Sequence, residues 1–150
     1  MTSPLSWYGG KYKLSKQIVK YIPFSITHYV EVFGGACSLL FAKRPSFFEC
    51  YNDIYSDVVN FFRVVRDEEK CKELIRLVEL TPFSREEFNY CKHNKDKFGT
   101  DIKEAYRFFI LNKMSYGNNV NGSFSSSSGY SQDVRSWDRS PYRLQMACRR

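Results

Sequence analysis

Asp53 stands just after an apolar run, Phe47-Phe48-Glu49-Cys50-Tyr51. About twenty positions earlier a similar run, Tyr29-Val30-Glu31-Val32-Phe33, empties into the small-residue turn Gly34-Gly35-Ala36-Cys37-Ser38. A carboxylate at the tip of a strand can accept hydrogen bonds from ribose hydroxyls, and residues without a Cβ let backbone come close to a ligand. Further upstream, Trp7-Tyr8-Gly9-Gly10-Lys11 adds an indole face for stacking and an ammonium that can pair with a carboxylate. These residue types in this order predict a pocket for a nucleotide-type cofactor.

Such a pocket needs a strand-turn-helix frame, and the apolar spacing supplies one. The run from Tyr29 to Phe33 shows almost no alternation, as expected of a parallel strand covered on both faces, and Leu39 to Ala42 reads as a short helix after the turn. Phe47 to Tyr51 is the second strand, which puts Asn52-Asp53 at its C-terminal end. Leu14, Ile18, Tyr21 and Ile22 recur at helical spacing until Pro23 stops them. Val58, Phe61, Phe62 and Val65 make a further stripe, as do Cys71, Leu74, Ile75 and Val78. Ser84 and Glu87 form a capping box flanked by the staple pair Phe83 and Phe88, so a helix starts at Arg85, and residues 101 to 113 carry another. From Ser115 to Gly129 no residue is charged, and the Ser, Asn and Gly content predicts a loop.

At 150 residues the chain is the size of one globular domain. Its formal charge of +7, with Lys11, Lys13, Lys16 and Lys20 all preceding the first acidic residue, points to a polyanionic partner. Five widely spread cysteines with no Cys-x-x-Cys pair predict reduced thiols, and neither His28 nor His93 has a second ligand at zinc spacing, so no metal is expected. Without a membrane-length apolar run or a signal-peptide core, the expected address is cytoplasmic.

Taken together, Trp7-Tyr8-Gly9-Gly10-Lys11, the turn after Glu31-Val32-Phe33 and the triplet Tyr51-Asn52-Asp53 resemble the Dam-like adenine-N6-specific DNA methyltransferases, particularly phage-type members. The likeness continues through Val58 to Arg63, Thr81 to Phe88 and Phe109 to Tyr116. It implies an α/β fold: an incomplete Rossmann-like sheet for S-adenosylmethionine over residues 1 to 80, with a mainly helical target-recognition region over 81 to 150. The cofactor residues it implies are Trp7, Tyr8, Gly10, Lys11, Glu31, Phe33, Gly34, Gly35, Ala36, Cys37, Ser38 and Asp53. The family usually has a smaller residue at Cys37, often glycine, and the sulfur is expected to crowd the cofactor. Double-stranded DNA is the implied partner, with Lys113, Tyr116, Asn118, Asn119, Arg135 and Arg139 as its contacts.

The family's Asp-Pro-Pro-Tyr motif, which by resemblance holds the flipped adenine, has no counterpart here, so no catalytic residue is assigned. Ser140-Pro141-Tyr142 is the nearest imitation, and it follows Trp137-Asp138-Arg139 rather than an apolar strand. The reading is the front portion of an adenine-N6 methyltransferase, inactive alone, with an open sheet edge that favours self-association or a complementing carboxy-terminal half. The rival readings are a non-catalytic DNA-binding remnant and one half of a split enzyme.

Overall fold

The computed structural model describes residues 2–7, 9–125 and 136–150. Two short parallel strands carry the front of the molecule, β1 (His28–Glu31) and β2 (Phe48–Tyr51), paired in register from His28 opposite Phe48 to Glu31 opposite Tyr51. The crossover between them is the helix α2 (Ser38–Ala42), and α1 (Tyr12–Ile18) precedes β1 and ends in a 3₁₀ turn at Val19–Tyr21. Five longer helices follow: α3 (Ser56–Arg66), α4 (Glu68–Glu79), α5 (Arg85–His93), α6 (Asp101–Met114) and α7 (Ser140–Cys148).

The helices assemble because their apolar stripes face one another. Phe61 of α3 stacks on Phe109 of α6 with ring centroids 5.7 Å apart, while Leu74, Val78, Phe108, Ile110 and Leu144 lie fully buried around them. Asp67, Ser84 and Thr100 each accept a backbone N–H at the start of α4, α5 and α6, as short polar N-cap residues do. The capping box at Ser84 forms only in half. Ser84 Oγ accepts from the amides of Glu86 and Glu87, but the Glu87 carboxylate accepts instead from Tyr106 Oη, at 2.9 Å. Phe83 and Phe88 both pack on Phe124, at 5.3 and 5.6 Å between centroids. Phe124 reaches them because residues 115 to 125 fold back on α6: Ser115 bridges Phe124, and the Ser125 amide donates to the Met114 carbonyl. That part of the expected open loop is therefore ordered by backbone pairing.

Two expectations are corrected. Cys71 and Cys148 are joined in a disulfide between α4 and α7, with Cα atoms 6.5 Å apart, so they are not free thiols; Cys37, Cys50 and Cys91 are. The strands are also not covered on both faces among the described residues, for Val30, Val32 and Phe48 remain about half exposed. Ser140-Pro141-Tyr142 opens α7, with proline in its first turn, and is not a strand-end loop.

The last residue pins the helical body to the sheet. Arg150 donates to the Glu49 carboxylate and to the Leu40 carbonyl, while Lys43 reaches Glu49 from the other side. Burial alone would raise the Glu49 carboxyl, but hydrogen bonds from Arg150, Lys43 and the Ser46 amide bring it down to about 2.

Candidate functional site

The site lies where β1 and β2 end. The Asn52 amide donates to Glu31 O at 2.8 Å, the Gly34 amide to Asn52 O at 2.9 Å, and Asn52 Nδ2 to Val32 O at 2.8 Å, so the ladder continues one step beyond the strands and aims both chain exits the same way. The turn then closes through the Cys37 amide to Gly34 O. A Cβ on Gly34 would overlap the Tyr51 ring, and the Tyr51 hydroxyl in turn donates to Gly35 O at 2.9 Å. Glycine is required there by the tyrosine that braces the turn.

Asp53 completes the brace. Its Oδ2 accepts the Gly35 amide at 2.7 Å and its Oδ1 the Tyr55 amide at 2.9 Å. A carboxylate has room for about four hydrogen bonds, so each oxygen keeps a lone pair for a ligand. Glu31 works on the other side, its Oε1 accepting from the Tyr29 hydroxyl and from the Leu40 amide in the first turn of α2. Desolvation raises the Glu31 carboxyl, opposed by those hydrogen bonds and by the nearby charge of Lys11.

These groups enclose a cavity of about 260 Å³. Trp7, Gly10, Lys11, Glu31 and Phe33 line it together with Gly34, Gly35, Ala36, Ser38 and Asp53, and Gly9 and Leu39 add to the wall. Trp7 is held against Tyr55 and Phe108 at 6.0 and 6.1 Å between centroids, its ring 3.6 Å from where a Gly35 Cβ would stand. Tyr8 lies outside the described residues.

Cys37 does not line the cavity. Its buried side chain faces a separate cleft with Leu40, Phe41 and Tyr51, and its backbone is left-handed at φ 55°. A Cβ disfavours this backbone conformation by about 1 kcal/mol.

The residues expected to meet DNA divide. Tyr116 and Asn119 are exposed, and so is Arg139 before α7; Asn118 is half-buried with its side-chain amide donating to the Asn112 carbonyl. Asn118 and Asn119 share a hollow of about 330 Å³ with Trp7 and Tyr55. Lys113 is not a surface group: it is only 4% exposed, and burial pulls its ammonium down to about 7. Arg135 lies outside the described residues.

Sequence reasoning missed Asn112. It is fully buried in α6, accepts the Ser6 amide and donates to the Ser6 carbonyl at 2.6 Å, and so hangs the Trp7 segment on the helical body. The available signal was an amide inside an otherwise apolar stretch, where a buried polar group needs a partner. Among the described residues no group of three or more His, Cys, Asp or Glu side chains could hold a metal ion, and no helix is long and apolar enough to cross a membrane.

Known proteins resemble the chain over most of this frame. It is 29% identical over 97 residues to the modification methylase StsI of Streptococcus sanguinis, a match covering 64% of this chain and 14% of that protein. It is 28% identical over 109 residues to the type II methyltransferase M1.LlaDCHI of Lactococcus lactis subsp. cremoris, covering 73% of this chain and 34% of that protein. The chain thus spans a minor part of either relative's length. Residues 7–133, from Trp7 through both strands and α6, match the D12 class N6 adenine-specific DNA methyltransferase family, and the chain belongs to that family.

Proposed function

We propose that this chain is the S-adenosylmethionine-binding and DNA-recognising portion of an adenine-N6 DNA methyltransferase. The observation that carries the reading is the cavity at the C-terminal ends of two parallel strands, with Lys11 on one wall and Glu31 and Asp53 on the others. The residues fit the cofactor's chemistry. Lys11 is the cation for its carboxylate, Asp53 keeps open lone pairs for two ribose hydroxyls, and Trp7 and Phe33 offer aromatic surface. When bound, S-adenosylmethionine supplies a sulfonium methyl for transfer to an amino nitrogen, a displacement that needs no covalent protein intermediate.

The chain's own residues hold the geometry of that step. Tyr51 and Asp53 fix the Gly34-Gly35 backbone from two directions, and Asn112 sets the height of Trp7 over the turn. Proximity of this kind supplies much of the catalysis in a bimolecular transfer. In this reading β1 and β2 belong to a larger Rossmann-like parallel sheet. Strands from outside this sequence, in cis or in trans, cover Val30, Val32 and Phe48 and bring the adenine-holding motif, so the chain by itself transfers no methyl group. Residues 1 to 80 serve the cofactor, and the helical region from 81 serves the target.

Isothermal titration of S-adenosylmethionine tests the cofactor reading. The parent chain binds, and Asp53→Ala and Trp7→Ala each weaken binding by about 10- to 100-fold, the worth of a charged hydrogen bond or a buried aromatic contact. Absence of binding by the parent, or parent-like affinity in both variants, overturns it. Methyl transfer to adenine by the purified chain, read by mass spectrometry, overturns the inactivity.

A further inference from the structure

Beside the cofactor cavity, and sharing Trp7, Gly9, Gly10 and Ser38 with it, runs a cleft of about 780 Å³. Three cations from two parts of the chain meet on its walls: Lys13 of α1 and, one helical turn apart, Arg139 just before α7 and Arg143 within it. Among the described residues no carboxylate lines it, and its other polar groups are mostly hydroxyls, with Ser3 and Ser6 among them, and the Asn118 amide. Among the described residues none of the three cations forms an ion pair. Behind Ser6 lies a buried lysine, Lys113. Lys113 donates to Ser6 Oγ at 3.4 Å, has no carboxylate partner and feels the charge of Arg143.

Like charges gathered without a counter-charge repel one another, and the arrangement is relieved by an anion in the cleft. Its shape selects the kind of anion. The cleft has three times the volume of the cofactor cavity and carries its cations on two separate elements, α1 and the start of α7, which suits a chain of phosphates rather than a single one. Its continuity with the cavity at Trp7 matters too, since a strand lying there delivers a nucleotide to the cofactor's edge.

We propose that this cleft seats the phosphodiester backbone of the DNA strand carrying the target base, with Lys13, Arg139 and Arg143 as its phosphate contacts. Ser3 and Ser6 offer hydroxyl donors to the same oxygens. The assignment rests on the DNA methyltransferase reading and adds to it a path for the strand. Contacts of this kind position the duplex without reading its sequence.

The test is the salt dependence of duplex binding, followed by fluorescence anisotropy between about 50 and 200 mM salt. Replacing Lys13, Arg139 and Arg143 together by Gln is expected to reduce the slope of log K against log salt by about 2 to 3 and to weaken binding at the lower salt by at least about 100-fold. Lys13→Gln alone, at an exposed position that folding does not depend on, lowers the slope by about 1. Lys95→Gln, on the far 3₁₀ turn, leaves it unchanged. Unaltered S-adenosylmethionine affinity in the triple variant shows that the neighbouring cavity is intact. A parent-like slope in the triple variant and in Lys13→Gln overturns the cleft assignment while leaving the methyltransferase reading standing. Failure of the parent to bind any duplex overturns both.

Discussion

The helical body and the strand-turn region of this molecule are built on different physics. Between α3 and α7 stability comes from burial: Val58, Phe61, Val64, Leu74, Phe109 and Ile110 expose essentially nothing. In the strand-turn region Phe33, Phe47 and Ile54 are more than four-fifths exposed, and shape is kept by hydrogen bonds that Asp53 and Glu31 accept and that Tyr51 and Asn52 donate. The cavity at the strand ends sits in the second region and borrows its floor from the first, through Asn112 and the packing of Trp7 on Phe108. The lesson is that a site can be ordered by directional polar contacts where little apolar surface is buried, provided a well-packed neighbour anchors it.

The sharpest way to break the contrast is a pair of truncations. Phe109→Ala in the body is expected to cost about 3 to 5 kcal/mol in urea denaturation, whereas Phe33→Ala in the turn changes stability by no more than about 0.5 kcal/mol. Comparable losses in both would erase the distinction.

Next in size is Lys113→Met. The unfolded chain holds the Lys113 proton up to its ordinary value of 10.5, but the fold, with Phe109, Ser6 and Arg143 facing it, releases the proton near 7. Between those values the unfolded state binds more protons, so this residue makes stability rise with pH, and its penalty is complete below 7. The methionine variant should therefore be more stable than the parent by a few kcal/mol at pH 6, with the advantage shrinking toward pH 10. Thermal unfolding at the two pH values checks this.

Smaller again is Gly34→Ala, whose Cβ meets Tyr51. A loss of about 1 to 3 kcal/mol is expected, and pairing it with Tyr51→Ala should recover part of the loss by removing the opposing ring. Additive losses would mean that the two residues do not meet.

The smallest effect belongs to Glu49. Its folded carboxyl sits below its ordinary value of 4.5, so the stability it lends is present above 4.5 and is lost as pH falls toward 2. Glu49→Gln should lower stability at neutral pH and flatten the acid limb, so that variant and parent converge as pH falls toward 2. An unchanged acid limb would show that Arg150 does not tie the two regions together.

Much of the body was legible from periodicity. The stripes at Val58 to Val65 and Cys71 to Val78 became α3 and α4, and Ser84 opened α5, because a helix's apolar spacing and its cap are local properties of the chain. The site was legible to a similar depth at Asp53 and the Gly34-Gly35 turn, since close backbone approach and a strand-end carboxylate leave marks in residue type. Three readings failed where distant segments decide. Lys113 looks like any surface lysine in sequence, Cys37 looks like part of the turn's inner lining, and Cys71 and Cys148 are separated by 77 residues.

The amino-acid sequence by itself determined the helices α3 to α6, the end of the second strand at Tyr51, and that a carboxylate, a lysine and an indole would be available near a glycine turn. Those features depend on neighbours within a few residues. The helix α7 and the end of the first strand at Glu31 rather than Phe33 were not read from it. The tertiary structure alone decided that Asp53 grips Gly35, that Asn112 carries the Trp7 segment, that Lys113 is buried, and that Lys13, Arg139 and Arg143 face one cleft. Each of these brings together groups from different elements, whose meeting is fixed by how helices and strands pack rather than by local spacing.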